Sequence, residues 1–197
     1  IYYLQYSNNE EKFDLDSDPY IKLYNEYFGG GMNAIVFQEM REARGLAYSA
    51  SGRLLEPEYK DDSYKYFAFI ATQNDKMQTA IEAFDEIIND MPESETAFNI
   101  AKEALATRCR TERITGRNIL SSYRTAREMG ITEPRSKKVY ESLPALTLED
   151  VKNTQEKWVK DRTYCYGILG DIKNLDTGYL KTLGTVEILT LEDIFGY

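Results

Sequence analysis

Histidine is missing altogether from the 197 residues. Its absence excludes a Ser-His-Asp triad, a Cys-His pair, a His-ligated zinc site and a histidine general base. Catalysis by this chain would have to rest on carboxylates, Lys or Tyr, or on parts supplied by another domain. Cysteine is nearly missing too. Cys109 falls in a helical pattern and Cys165 in a strand pattern. Two distant thiols define no disulfide framework, and both are expected to act as small buried hydrophobes. No apolar run approaches the ~20 residues of a membrane span. The opening Ile1-Tyr2-Tyr3-Leu4-Gln5-Tyr6 has neither the basic nor the apolar region of a signal peptide. It reads as a strand entered without preamble, as expected of a fragment cut from a longer chain on its N-terminal side. Basic residues are in deficit, 24 against 33 acidic, giving a formal net charge of -9. That balance argues against nucleic acid and anionic lipid as partners. It leaves a soluble protein, cytoplasmic or periplasmic, with the compartment open.

What is present suits an ordinary globular core, 42% of the residues being hydrophobic. Residues 1–6 are expected as a strand and 7–16 as a loop. A helix over 19–28 follows Asp16, Ser17 and Asp18, with Pro19 in its first turn. Three glycines stop it, and 32–43 has a second helical stripe in Ile35, Val36, Phe37 and Met40. Strands over 46–54 and 64–72 flank an acidic turn at 56–62 and should pair antiparallel. Helices are expected over 76–90 behind Asp75, 94–113 behind Ser94, 117–128, 136–142 and 148–160. The last opens with Thr147-Leu148-Glu149-Asp150, a capping-box pattern. A strand over 162–170, a short helix over 176–183 and a closing strand over 185–189 complete the chain. Strands grouped apart from a helical block indicate α+β, with helices over one face of a mainly antiparallel sheet.

One stretch carries most of the information, from Gly29 to Ser51. Gly29-Gly30-Gly31 permits close backbone approach, which suits tight helix–helix packing, or leaves free amides for an anion. A phosphate loop is excluded, since no Gly-Lys-Ser/Thr follows and no strand feeds the glycines. Arg41 lies near a helix end and Tyr48 on the next strand, where a helix-turn-strand corner can bring them together. Each also has a plain structural use: Arg favours the helix C-terminus and Tyr packs well in a strand.

Phe28-Gly29-Gly30-Gly31-Met32-Asn33, followed by Phe37-Gln38-Glu39-Met40-Arg41-Glu42-Ala43-Arg44-Gly45-Leu46-Ala47-Tyr48-Ser49, closely resembles the insulinase/pitrilysin family of zinc metallopeptidases. The match is to that family's C-terminal, non-zinc repeat; residues beyond Leu54 are less diagnostic. The resemblance implies the metallopeptidase half-unit fold of the LuxS and mitochondrial processing peptidase type. It implies that residues 1–197 form a single C-terminal-type domain of a longer peptidase whose zinc-binding half lies upstream. In the family, a half carrying the inverted His-x-x-Glu-His motif closes on a similar half lacking it, with an unfolded peptide between them. The non-zinc half supplies an Arg and, after six intervening residues, a Tyr, which here are Arg41 and Tyr48; Arg44 is out of that register. The expected function is the substrate-clamping half of a zinc-dependent metalloendopeptidase. This chain alone would be inactive, with no cofactor of its own, and Zn2+ is expected in the missing half. Its partners would be that half, on the same chain or another subunit, and a peptide. The alternatives are a non-enzymatic scaffold or assembly subunit of the same fold, and an independent module binding peptides along a strand edge.

Other features have plain readings. Glu39 and Glu42 share a helix side and should be solvated. Asp61 and Asp62 lie in an exposed turn. Arg108, Arg110, Arg113, Arg117, Arg124 and Arg127 either pair with surface acids or form a basic face toward a partner. Tyr64, Tyr66, Phe67 and Phe69 should divide between core and rim, with Trp158 a packing anchor.

Overall fold

The computed structural model describes residues 1–197. Its elements are β1 (Tyr2–Lys12), α1 (Asp18–Gly29), α2 (Ile35–Phe37), β2 (Ser49–Leu55), β3 (Ser63–Ala71), α3 (Met77–Asn89), α4 (Glu95–Thr111), α5 (Ile119–Glu128), α6 (Arg135–Ser142), α7 (Leu148–Trp158), β4 (Cys165–Leu169), α8 (Thr177–Leu183) and α9 (Leu191–Phe195). The four strands form one antiparallel sheet in the order β2-β3-β1-β4.

Alternation fixes which face of the sheet the helices cover. Tyr3 on β1, Ala50 and Leu54 on β2, and Tyr64, Tyr66, Ala68 and Ile70 on β3 point inward and are buried with Phe28, Phe84 and Trp158. Tyr2, Tyr6 and Leu169 stand exposed on the opposite face. This is the expected α+β half-unit, with Trp158 a core anchor set edge-on against Tyr64 at 4.9 Å between centroids. Two helix starts work as the sequence indicates. Ser94 accepts from the Ala97 amide, and Thr147 and Asp150 cap each other reciprocally.

Several expectations need correction. β1 continues through the expected loop to Lys12, because Ser7 and Asn9 keep the inward alternation and are buried despite their polarity. The strand ends in an irregularity, Glu10 taking φ 60° as the register shifts between Asn8 and Lys12. The second helical stripe is shorter than expected and begins at Ile35. Neither Ser17 nor Asp75 makes a side-chain cap; α3 is entered instead through a 3-10 turn at Asn74–Lys76. The closing strand over 185–189 does not form. Its residues alternate as expected but lie exposed and pair with no strand of the sheet, so no partner backbone completes them. A capped helix, α9, follows instead. Cys165 is exposed and Cys109 only half-buried, because Cys165 points to the uncovered face of the edge strand.

The glycine cluster packs against a strand, not a helix. A Cβ on Gly29 would sit 2.1 Å from the carbonyl oxygen of Gly52, so α1 lies directly on the β2 backbone. Gly29→Ala is expected to cost about 2–3 kcal/mol by forcing the two backbones apart. Gly116→Ala, where nothing lies within 4 Å, should change stability by under about 0.5 kcal/mol. Urea melts of both variants check this.

The inward face of β1 also carries Gln5, fully buried, with neither amide atom partnered. Beside it burial, reinforced by Glu82, pushes the Asp85 carboxyl from its usual 3.8 up to about 6 and outweighs the favourable influence of the nearby Gln5 amide. A carboxyl whose folded pKa is raised costs stability above that pKa and nothing below the unfolded one. The cost therefore grows from pH 4 to 6 and stays constant above. Asp85→Asn should stabilise the chain by about 1–2 kcal/mol at pH 7.5, partial exposure having reduced the full linkage value. At pH 4 the gain should vanish, as urea melts at the two pH values would show.

Candidate functional site

The chain from Phe28 to Tyr48 makes two reversals that place one corner of the sheet. After α1 and the glycine turn, α2 widens into a π-helical turn over Gln38–Ala43. Such turns are rare and occur frequently at functional sites. Gly45 takes φ 57°, a left-handed conformation suited to glycine, and the chain doubles back. The amides of Leu46 and Ala47 then both donate to the Met40 carbonyl, at 2.8 and 3.2 Å. The Tyr48 amide donates to the Ala71 carbonyl at 2.9 Å and starts the pairing of β2 with β3. Arg41, on the π turn, is thereby set beside Tyr48.

The geometry of the pair is open. The Tyr48 side chain is 82% exposed. The Arg41 guanidinium lies 5.0 Å from the Phe37 ring and 5.6 Å from the Tyr48 ring, a cation–π arrangement that holds both at the surface. Its nearest carboxylate is the exposed Glu42, at 3.7 Å. Arg44 is differently placed. It binds Glu86 at 2.7 Å and Glu39 at 3.5 Å, and the hydrogen bond to Glu86 raises its pKa above the ordinary value. Glu39 is thus an ion-pair partner, not a free carboxylate.

Arg41 and Tyr48 line a cleft of about 490 Å³ whose other walls come from Ile1, Tyr2, Gly45, Leu46, Ala47, Ala71, Thr72, Gln73 and Lys76. Lys76 and Gln73 are the site residues that sequence reasoning missed. They reach the cleft only because the end of β3 lies against the start of β2, a pairing no local pattern announces. Nowhere do three or more His, Cys, Asp or Glu side chains converge to hold a metal ion. With histidine absent as well, the chain's own residues do not fit a zinc site.

Half of the six arginines of the arginine-rich region form surface pairs: Arg108 with Glu26, Arg110 with Glu103, and Arg124 with Glu128. Residues 11–105 match the family model for the peptidase M16 inactive domain. That match spans a little under half of the chain and contains the Gly29–Ser51 stretch. The chain is similar in fold to the peptidase M16 inactive domain from Pseudomonas fluorescens, with TM-score 0.65 and 17% identity over 84% of the chain. It covers only 39% of that Pseudomonas chain, about two fifths of its length. It also resembles the inactive peptidase domain of a candidate zinc protease from Bordetella parapertussis, with TM-score 0.65 and 12% identity, covering 87% of this chain and 95% of that one. A chain of complex III2 from Candida albicans matches with TM-score 0.62 and 16% identity, covering 92% of this chain and 46% of that one. At such identities the likeness is one of fold. No curated protein matches the chain. No helix of the chain is long and apolar enough to cross a membrane.

Proposed function

We propose that this chain is an M16 inactive domain, the substrate-clamping, non-zinc half of a zinc-dependent metalloendopeptidase. The zinc-bearing half, on the same chain or a partner subunit, would hold the metal and face the cleft across a closed chamber. The observation that carries the reading is the open placement of Tyr48 and Arg41 in one cleft, with Arg44 beside them tied into ion pairs. Peptide hydrolysis places negative charge on the scissile carbonyl oxygen. A phenol O–H from Tyr48 can donate to that oxygen as an oxyanion-hole group does. The Arg41 fork can donate to a neighbouring peptide carbonyl and fix the register of the strand being cut. Both groups sit on the half without the metal, so activity depends on closure of the two halves.

Arg41→Ala in the full-length, zinc-bearing protein should lower kcat/KM for a peptide by about tenfold to a hundredfold, with much of the loss in KM, because a positioning contact is removed. Arg44→Ala should leave kcat/KM within about twofold, its guanidinium being committed to Glu39 and Glu86. Equal effects of the two substitutions would count against the assignment. A second reading, a non-enzymatic scaffold or assembly subunit, draws on the likeness to the complex III2 chain. It predicts no peptide cleavage by the full-length protein.

A further inference from the structure

We infer that the cleft beside Tyr48 selects peptides carrying an acidic residue, Asp or Glu, opposite Arg41 and Lys76. The inference rests on the reading that this cleft holds peptide. Among the eleven residues lining it, Arg41 and Lys76 are the charged ones, and none is a carboxylate. The sign is opposite to that of the chain, whose net charge is -9. Most other cations near the core are neutralised: Lys22 by Glu56, Arg44 by Glu86 and Glu39, Arg135 by Asp18 and Glu56. Lys76 takes part in no ion pair. Its ammonium donates to the Gly45 carbonyl at 3.2 Å, which anchors it at the rim and leaves further N–H donors free. The carboxylates nearest along the chain, Glu42 and Asp75, are exposed and lie outside the lining, and the 3.7 Å contact of Glu42 with Arg41, open to water, offsets that charge only in part.

Two cations of one sign on low-dielectric walls focus a positive potential into the cleft. The apolar contributions of Tyr2, Leu46 and Ala71 give the methylenes of a Glu or the backbone beside it a surface to lie on. A lysine or arginine at the same place meets two like charges and is excluded, so selectivity arises from repulsion as well as attraction. The volume of about 490 Å³ accommodates one such side chain with its flanking backbone.

The test uses the full-length, zinc-bearing protein and a peptide series in which one Gln at each position in turn is replaced by Glu or by Lys. At one position the Glu peptide should exceed the Gln peptide in kcat/KM by about five- to tenfold, and the Lys peptide should fall below both. The ratio should shrink toward one in about 0.5 M NaCl. Lys76→Gln should reduce the Glu-to-Gln ratio to about twofold or less, while Lys76→Arg retains it. Tyr48→Phe should slow all peptides alike and leave the ratio unchanged. Equal rates across the series, with Tyr48→Phe still slow, would overturn the charge selection and leave the clamping function standing. A ratio that persists in Lys76→Gln would overturn the assignment to Lys76. Cleavage indifferent to Tyr48→Phe, or no cleavage of any peptide, would overturn both the function and this inference.

Discussion

Tyr48→Phe in the full-length, zinc-bearing protein is expected to lower kcat for peptide cleavage by about 10²- to 10³-fold, with KM changed much less. The substitution removes one hydroxyl and keeps the ring, so the stacking of Arg41 over it survives. The ring is 82% exposed and belongs to no core cluster, so the fold has little to lose. An effect confined to kcat would therefore report a hydrogen bond made in the transition state and not in the ground state. Steady-state kinetics beside a urea melt separates this from unfolding. The melt should shift by under about 0.5 kcal/mol.

Arg135→Ala should destabilise the chain by about 3–5 kcal/mol. Asp18, at the start of α1, is completely buried, and its carboxylate is met by Arg135, whose Nε donates to Oδ2 at 2.8 Å. The same guanidinium reaches Glu56 at 2.8 Å in the turn between β2 and β3, and lies 5.2 Å from the Phe13 ring. One side chain from α6 thus ties α1 and the β2–β3 turn together. Truncating it strands a charge with no access to water, which costs more than the intact bridge contributes. Burial pushes the Glu56 carboxyl up, but Lys22 and Arg135 outweigh it and hold the group below its ordinary 4.5. Its share of stability is present above that value and lost as pH falls through the lower folded one. Asp18→Asn combined with Arg135→Ala should recover part of the loss, because no unpaired charge then remains buried.

This bridge was not legible in the sequence, since nothing local links Asp18 to a residue 117 positions away. Other features were. Thr147 with Asp150 and Ser94 with Ala97 show their caps within a single turn. The β3 aromatics divide between core and rim as expected, although only the strand pairing shows that Tyr64 and Tyr66 are the inner ones and Phe67 and Phe69 the rim. Reading failed where a partner decides. The polar residues of 7–12 continue a strand because β3 supplies the ladder as far as Ser63. The apolar alternation at 186–189 stays unpaired because no edge meets it. Within the site, Arg41 and Tyr48 stood out through the resemblance of the surrounding motif. Their contact depends on the π turn and on Gly45, and Lys76 enters only through strand pairing.

A structure of the full-length protein with a non-hydrolysable peptide bound at the zinc of its other half would test the division of labour most directly. The predicted result is the Tyr48 hydroxyl about 2.7–3.1 Å from the oxygen of the carbonyl to be cleaved, with the Arg41 guanidinium on an adjacent peptide carbonyl. A bound peptide lying elsewhere, with Tyr48 and Arg41 still turned to solvent in the closed complex, would contradict it.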